Sequence, residues 1–361
     1  MESNTVQGVA DGVSRLIDNI QSVISIDRRK LEHLLAAHIA GGHVLLADSH
    51  GVGKTSLAKA LAGSISWEGN NHRGEQHAAS SGAGSDRGPA STQSSPPAAG
   101  PPAAASTPAK APLMENFSRI QCTVDLLPQD ILGYNRLYGA TQELVFNKGP
   151  IFAHFVLCDE INLLTPKTQG SFFQAMEEQT VTVEGKTFEL RDPFFIIATM
   201  NLKGAHLFPL PAPQLDRFMV QLSMGYPDAQ HEAGIVTRHG RDDAWSRFGP
   251  VIPHHQLLQW KSLVDEVEIH AEVVAYIVAC VRRSREHEEV EVGASPRTGV
   301  KLSRMSRALA LIRGDDWVSV DLVKEIFPAA VSHRLVMKNS AQPASTIIEE
   351  ILHTVPVEVT A

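Results

Sequence analysis

Apolar positions along this chain follow two patterns, recurring at helical spacing in some stretches and forming short continuous runs in others. Leu31, Leu34, Leu35 and Ile39, with His38 on the same face, follow the first pattern, and Gly41-Gly42 ends that helix. Residues 43–47 (His-Val-Leu-Leu-Ala) predict a short buried strand, and the Ala- and Leu-rich stretch 56–62 predicts a second helix. Residues 116–122 alternate as a half-buried strand does, and the apolar runs 155–158 and 194–198 predict buried strands of a parallel sheet covered on both faces. Between those runs, residues 166–178 predict a helix, with Thr165 and Pro166 supplying a capping residue and a first-turn proline. Residues 180–190 alternate on both sides of Glu184-Gly185, the pattern of a hairpin projecting from the sheet. Strands alternating with helices over short connections predict an α/β core.

From residue 228 onward strand signals fade and amphipathic stretches follow at 271–285, 300–312, 320–335 and near 345–353. The predicted division is an α/β core over 1–227 and a helical domain over 228–361. One stretch interrupts the core. Residues 71–110 contain no Ile, Leu, Val, Met, Phe, Trp, Tyr or Cys, and Ala, Gly, Pro and Ser make up 28 of these 40. Such a stretch buries too little apolar surface to offset its ordering entropy, so 67–113 is expected to be a disordered, extended insertion. Its length is tolerable because the entropy of closing a loop grows slowly with loop length.

Composition narrows the partners. Lys and Arg number 32 against 40 Asp and Glu, a formal charge of −8, with 43% hydrophobic residues. That balance argues against a sequence-blind nucleic-acid binder, which needs a basic surface. The longest apolar run, residues 273–281, falls short of the ~20 residues that span a bilayer, so no membrane span is expected. The N-terminus lacks the basic start and apolar block of a secretory signal, and a cytoplasmic location is expected. Cys122, Cys158 and Cys280 lack metal-pair spacing and are expected to be buried free thiols. The histidines, including His254-His255, His231 and His239, lack convergent Cys or acid spacing and are expected to be solvated.

The candidate chemistry starts at Asp48-Ser-His-Gly-Val-Gly-Lys-Thr55, which follows a predicted strand and opens a helix. In that context the backbone amides of Gly51, Val52, Gly53, Lys54, Thr55 and Ser56 can cradle the phosphates of ATP, with Lys54 on the β- and γ-phosphates and Thr55 on Mg²⁺. The alternative is a Gly-rich turn that happens to contain Lys-Thr. Asp48 stands where the strict pattern has Gly, so its carboxylate must point away from the phosphates or be neutralised. A second element, Phe155-Val-Leu-Cys-Asp-Glu160, is an apolar strand ending in two acids, where Asp159 can hold the same Mg²⁺ and Glu160 can polarise a water.

Gly149-Pro-Ile-Phe-Ala, Asp159-Glu-Ile-Asn162, Pro166-Lys-Thr-Gln169, Gln174-Ala-Met-Glu-Glu178, Val181-Thr-Val-Glu-Gly185, Ala198-Thr-Met-Asn201, Pro209-Leu-Pro, Gln214-Leu-Asp-Arg-Phe218 and Gly293-Ala-Ser-Pro-Arg297 together resemble a MoxR-type AAA+ ATPase. The resemblance runs from about His43 to Pro356 and implies a P-loop AAA+ core, a parallel sheet flanked by helices, followed by a smaller all-α lid. It implies that Asn201 orients the attacking water, that Arg217 is a finger reaching a neighbouring subunit's γ-phosphate, and that Arg297 is a second sensor from the lid. The local alternatives are a loop-capping Asn201, a salt bridge from Arg217 to Asp216 or another acid, and an exposed basic Arg297. The resemblance further implies ATP hydrolysis with Mg²⁺ in a ring, a hexamer by the family's habit. Its clients would be protein complexes matured in a chaperone-like way, with a von Willebrand factor A domain partner and metal or cofactor insertion among the family's roles. A nucleic-acid motor and a nucleotide-binding scaffold with weak turnover are the rival readings. Two departures stand out. Leu163 replaces the Arg usual after the Asp-Glu-Ile-Asn stretch, and Val23-Ile-Ser-Ile-Asp27 replaces the family's turn before the first helix.

Overall fold

The computed structural model describes residues 3–48, 51–67, 114–138, 143–201, 208–226, 229–238, 243–339 and 342–357. Nearly all of the expected insertion, together with Ser49, His50 and His239, lies outside them. Among the described residues, five strands form the central sheet: β1 (Val44–Ala47), β2 (Glu115–Gln121), β3 (Ala153–Asp159), β4 (Phe195–Met200) and β5 (Val220–Leu222). Their order across the sheet is β5-β1-β4-β3-β2, and every pairing is parallel. The apolar runs read as buried strands are the three central ones.

Strand alternation splits these runs between two cores. Val44, Leu46, Phe155, Leu157, Phe195 and Ile197 face one side of the sheet, and Leu45, Val156, Cys158, Ile196 and Ala198 face the other. The first face is covered by helices α1 (Ser3–Gln21), α2 (Arg28–Ile39) and α3 (Lys54–Gly63). Helix α4 (Pro166–Glu178) and two hairpins, Gly133–Tyr138 with Glu143–Lys148 and Thr180–Val183 with Lys186–Glu189, cover the second. The shorter hairpin turns through Glu184 (φ 47°) and Gly185 (φ 80°), a two-residue turn that needs positive φ at both positions and so favours Gly at the second.

The later helices are α5 (Ala229–Arg238), α6 (His254–Leu263), α7 (Ala271–Glu286), α8 (Pro296–Arg313), α9 (Val320–Val331) and α10 (Ala344–Thr354). The helical period read over 320–335 stops at Val331, where a 3₁₀ turn, Ser332–Arg334, leads into a short strand. Helices α6 to α10 share one apolar core with α1 and α2. Helix α1 was not expected from the sequence, although Val6, Val9, Val13, Leu16, Ile17 and Ile20 are buried at helical spacing. The 133–148 hairpin was missed as well, because its outward positions Leu137, Leu144 and Val145 are apolar and blur the alternation.

An ion cluster ties the lid helices to the N-terminal ones. Arg313 on α8 bonds Glu32 of α2 at 2.8 Å and Glu325 of α9 at 2.6 Å, and His33 meets Glu325 at 3.1 Å. The Arg313 hydrogen bonds lower the Glu325 carboxyl from its usual 4.5 to about 2, with His33 adding to the effect against the opposing cost of burial. A depressed carboxyl value contributes stability that is present above about pH 4.5 and lost as pH falls toward 2. The melting temperature of wild type should therefore exceed that of Glu325→Gln at neutral pH, and the gap should narrow between about pH 4.5 and 2. A gap independent of pH would show that the carboxylate charge is not what stabilises the contact.

All three cysteines are free and buried, as expected, and Cys122 lies with its Sγ 3.3 Å from that of Cys158. The expectation of solvated histidines fails for His254, whose ring stacks 5.3 Å from Trp67 with a buried Nδ1, while His255 is exposed. His38 and His43 are buried as well, and burial lowers them to about 3 and about 4. Among the described residues no group of three or more His, Cys, Asp or Glu is arranged to hold a metal, and no helix is long and apolar enough to cross a membrane.

Candidate active site

The C-terminal ends of parallel strands are where this sheet type binds ligands, because loops diverge there and helix N-termini point inward. A cavity of about 280 Å³ sits at that edge, lined by Gly51, Gly53, Lys54, Thr55, Arg119, Gln121, Asp159 and Glu160. One wall comes from the β1–α3 loop. Gly51 (φ 81°) and Gly53 (φ 88°) both take left-handed backbone, which their lack of a Cβ permits without strain. Gly53 directly precedes α3, and the first helical bond runs from the Leu57 amide to the Gly53 carbonyl. The first amides of α3, from Lys54 on, open the helix toward the cavity, and a helix N-terminus behind a glycine turn is suited to cradle an anion. A Cβ placed on Gly51 would meet nothing within 4 Å, so the cradle opens into space.

Asp48 resolves its own apparent conflict with phosphate. Its carboxylate turns toward the loop after β5 and accepts from the Ser223 hydroxyl at 2.6 Å and the Met224 amide at 2.6 Å. The residue does not line the cavity, and its backbone carbonyl accepts from Lys54 Nζ at 3.1 Å. Lys54 is buried to 9% exposure with its ammonium at the cradle.

The opposite wall is the tip of β3. Asp159 Oδ1 accepts from the buried Thr199 hydroxyl at 2.8 Å, and Oδ2 accepts from Arg119 at 2.7 Å. Thr199 in turn accepts from the Glu160 amide at 2.8 Å. Glu160 has left-handed backbone (φ 61°, ψ 55°), which breaks the strand alternation and lets adjacent acids line the same cavity. Asn162 donates from Nδ2 to the Asn201 carbonyl at 3.0 Å and so pins the end of β4 beside the end of β3. Asn201 follows β4, which pairs with β1 on one side and β3 on the other, although it is not among the cavity-lining residues. Thr55 and Asp159 supply a hydroxyl and a carboxylate across one cavity, an oxygen set suited to Mg²⁺, and the amide cradle with Lys54 suits a polyphosphate.

Two further arginines meet elsewhere. Arg217 and Arg297 both pair with Glu177 on α4, at 3.2 Å and 2.8 Å, and neither lines the cavity. The Arg217 guanidinium also lies over the Phe173 ring, 5.2 Å from its centroid. Lys301, one turn after Arg297 on α8, donates to the Asp216 carbonyl, and burial followed by the nearby Arg334 charge lowers it from 10.5 to about 8.

Comparison with known proteins decides the family. A family model for ATPases associated with various cellular activities matches residues 96–220, and one for the AAA lid domain matches 282–352. The chain is 33% identical over 353 residues to the uncharacterized protein YeaC of Bacillus subtilis, covering 96% of this chain and 95% of that one. It is also 33% identical over 253 residues to the chaperone MoxR1 of Mycobacterium tuberculosis, covering 66% and 67% of the two chains. The chain belongs to the MoxR-type AAA+ ATPases. Protein MoxR of Methylorubrum extorquens is similar over 96% of this chain at 23% identity. A crystal structure of a candidate ATPase from Cytophaga hutchinsonii superposes with a TM-score of 0.79 at 24% identity, covering 99% and 98% of the chains, and so shares the fold.

Within this MoxR-type chain, the structure gathers Gly51, Gly53, Lys54, Thr55, Asp159 and Glu160 around one cavity and leaves Arg217 and Arg297 together outside it. Within one subunit both arginines make acid pairs, with Glu177 rather than Asp216 as the partner of Arg217. Leu163, at the family's usual Arg, packs against the second core. Asp27 caps α2 by accepting from the Lys30 amide, so the altered turn still starts that helix. Sequence reasoning missed Thr199, Arg119 and Gln121. Thr199 falls inside the Ala198-Thr-Met-Asn201 motif, but nothing local in the sequence says that its hydroxyl reaches across to the neighbouring strand.

Proposed function

We propose that this protein hydrolyses Mg-ATP as a cytoplasmic ring of identical subunits, a hexamer by its family's habit, that Arg217 of one subunit completes the cavity of the next, and that Arg297 acts as the second sensor from the lid. The observation carrying this reading is the separation of parts. The glycine turn with Lys54 and the two acids share one cavity, while Arg217 is held on Glu177 outside it, where a finger has a phosphate to contact only when another subunit brings one. Lys54 and the α3 amides would hold the β- and γ-phosphates, with Thr55 and Asp159 as the residues for Mg²⁺. When bound, that ion supplies charge neutralisation on the phosphate oxygens. Glu160 would take the proton of the attacking water, and Asn201 would orient that water.

The work of the ring is proposed to be remodelling, assembly or activation of a client protein. Leu137 and Leu144, cross-strand partners on the longer hairpin, are exposed by 58% and 68%, with Val145 exposed by 48% on its other face, and exposed apolar side chains favour a protein contact over a nucleic-acid one. The second hairpin packs beside it through Phe146 and Phe188, stacked at 4.5 Å, and its loop and last strand carry Glu184 and Glu189 against Lys186. With a net charge of −8, binding driven by counterion release would be weak. The family resemblance adds a von Willebrand factor A domain partner and metal or cofactor insertion as the client context.

Light scattering with and without Mg-ATP, run alongside phosphate release with and without duplex DNA, tests this reading. ATP should shift the mass to a closed oligomer, and DNA should leave turnover unchanged. A chain that hydrolyses ATP while remaining monomeric would defeat the ring, and salt-sensitive stimulation by DNA would favour the motor.

A further inference from the structure

Arg334 is 4% exposed, and its five N–H groups make five hydrogen bonds. Nε donates to Asp216 Oδ1 at 2.7 Å, Nη1 to the Met219 carbonyl at 3.3 Å and to the Ala330 carbonyl, and Nη2 to the Asp216 carbonyl at 3.2 Å and to the Phe218 carbonyl. Four of those five acceptors belong to residues 216–219, the segment that carries Arg217. Lys301 adds a sixth bond, to the Asp216 carbonyl. Both donors come from the lid, Lys301 on α8 and Arg334 in the 3₁₀ turn after α9. The Arg217 side chain meanwhile rests on Phe173 and Glu177 of α4, the first long helix after Glu160. Its backbone is thus set by the lid and its side chain by the helix that follows the acidic strand.

We propose that Arg334, assisted by Lys301, is the positioning residue for Arg217: the lid holds the backbone of 216–219 so that the Arg217 guanidinium is presented to the neighbouring subunit's cavity. This rests on the reading of Arg217 as a finger acting in trans. The guanidinium is required because a planar fork can bond carbonyls on several sides at once, whereas an ammonium offers three donors from one point. Placement matters because a shift of about 1 Å in a group that completes a reacting site costs about 10²-fold in rate.

The test uses Arg334→Lys and Asp216→Asn in the full chain, the second keeping the carbonyl bonds and serving alone if the first does not fold. Arg334→Lys should lower kcat by about 10²-fold and leave KM for ATP within about 2-fold, since the substituted residue does not touch the cavity. Asp216→Asn should lower kcat by about 10-fold in the same manner. Combining Arg334→Lys with Arg217→Ala should cost no more than Arg217→Ala alone, because the two residues act through one group. Each variant should also regain turnover when mixed with Glu160→Gln subunits, whose fingers are intact; in a random equimolar ring roughly a quarter of interfaces pair an intact cavity with a well-placed finger. Rescue of Arg217→Ala but not of Arg334→Lys or Asp216→Asn would overturn the proposal. So would multiplying losses in the double variant, or kcat at the wild-type level in whichever variants fold. Failure to rescue Arg217→Ala itself would overturn the trans reading, and this proposal with it.

Discussion

Replacing Glu160 by Gln should leave ATP binding intact and lower kcat by about 10²–10⁴-fold, the range that general-base catalysis contributes. Amide and carboxylate have nearly the same shape, so the left-handed backbone at Glu160 and its amide bond to Thr199 should survive the change. What disappears is the acceptor for the water's proton. Asp159 is not expected to take over the role, because Thr199 and Arg119 donate to its two oxygens and hold the carboxylate in place. Phosphate release under single-turnover conditions, alongside binding of a fluorescent nucleotide, measures both halves of the expectation. Turnover within about 3-fold of wild type would show that Glu160 is not the base and would favour a scaffold with weak turnover.

The second large effect is expected at Arg217. An arginine supplied to a neighbouring phosphate is worth about 10³–10⁵ in rate, so Arg217→Ala should lose about 10³-fold or more in kcat with little change in nucleotide affinity. Magnitude separates this from the local alternative. The pair with Glu177 is partly exposed, and such pairs contribute about 1 kcal/mol or less, which would appear as a small drop in melting temperature. A 10³-fold loss corresponds to about 4 kcal/mol of transition-state stabilisation and cannot come from that pair. Steady-state kinetics and thermal melts on the same preparation decide between them. A destabilised protein with wild-type kcat per folded subunit would leave Arg217 as a surface ion pair.

The sequence carried much of the fold because its signals are local. The helix spans 166–178 as expected, with Pro166 in its first turn and the alternating 180–183 stretch after it, although Thr165 at the N-cap position pairs with the Thr168 hydroxyl and makes no side-chain cap bond. Glu184-Gly185 announced the short hairpin because only certain residues accept positive φ. The two missed elements failed for different reasons. Helix α1 carries its signal in valines and isoleucines at helical spacing, whereas the 133–148 hairpin exposes apolar residues where alternation demands polar ones. His254 was misjudged because its burial comes from Trp67, some 190 residues away in the chain, and no local pattern records that contact.

By itself the sequence singled out the candidates for phosphate, Mg²⁺ and water chemistry: Lys54 and Thr55 after one apolar strand, Asp159 and Glu160 at the end of another. Spacing and residue type suffice there, because a glycine turn opening a helix and a pair of acids ending a buried strand are local arrangements. Only the tertiary structure decided where the remaining charges go. It turned Asp48 away from the cradle onto Ser223 and Met224, placed Thr199 as the strut between Asp159 and Glu160, and gathered Arg217 and Arg297 on Glu177. It also set Arg334 beneath the segment that bears Arg217. Each of these contacts joins residues distant in the chain, and a long polar side chain takes its direction from whichever partner packing brings within about 3 Å, a choice the local sequence does not encode.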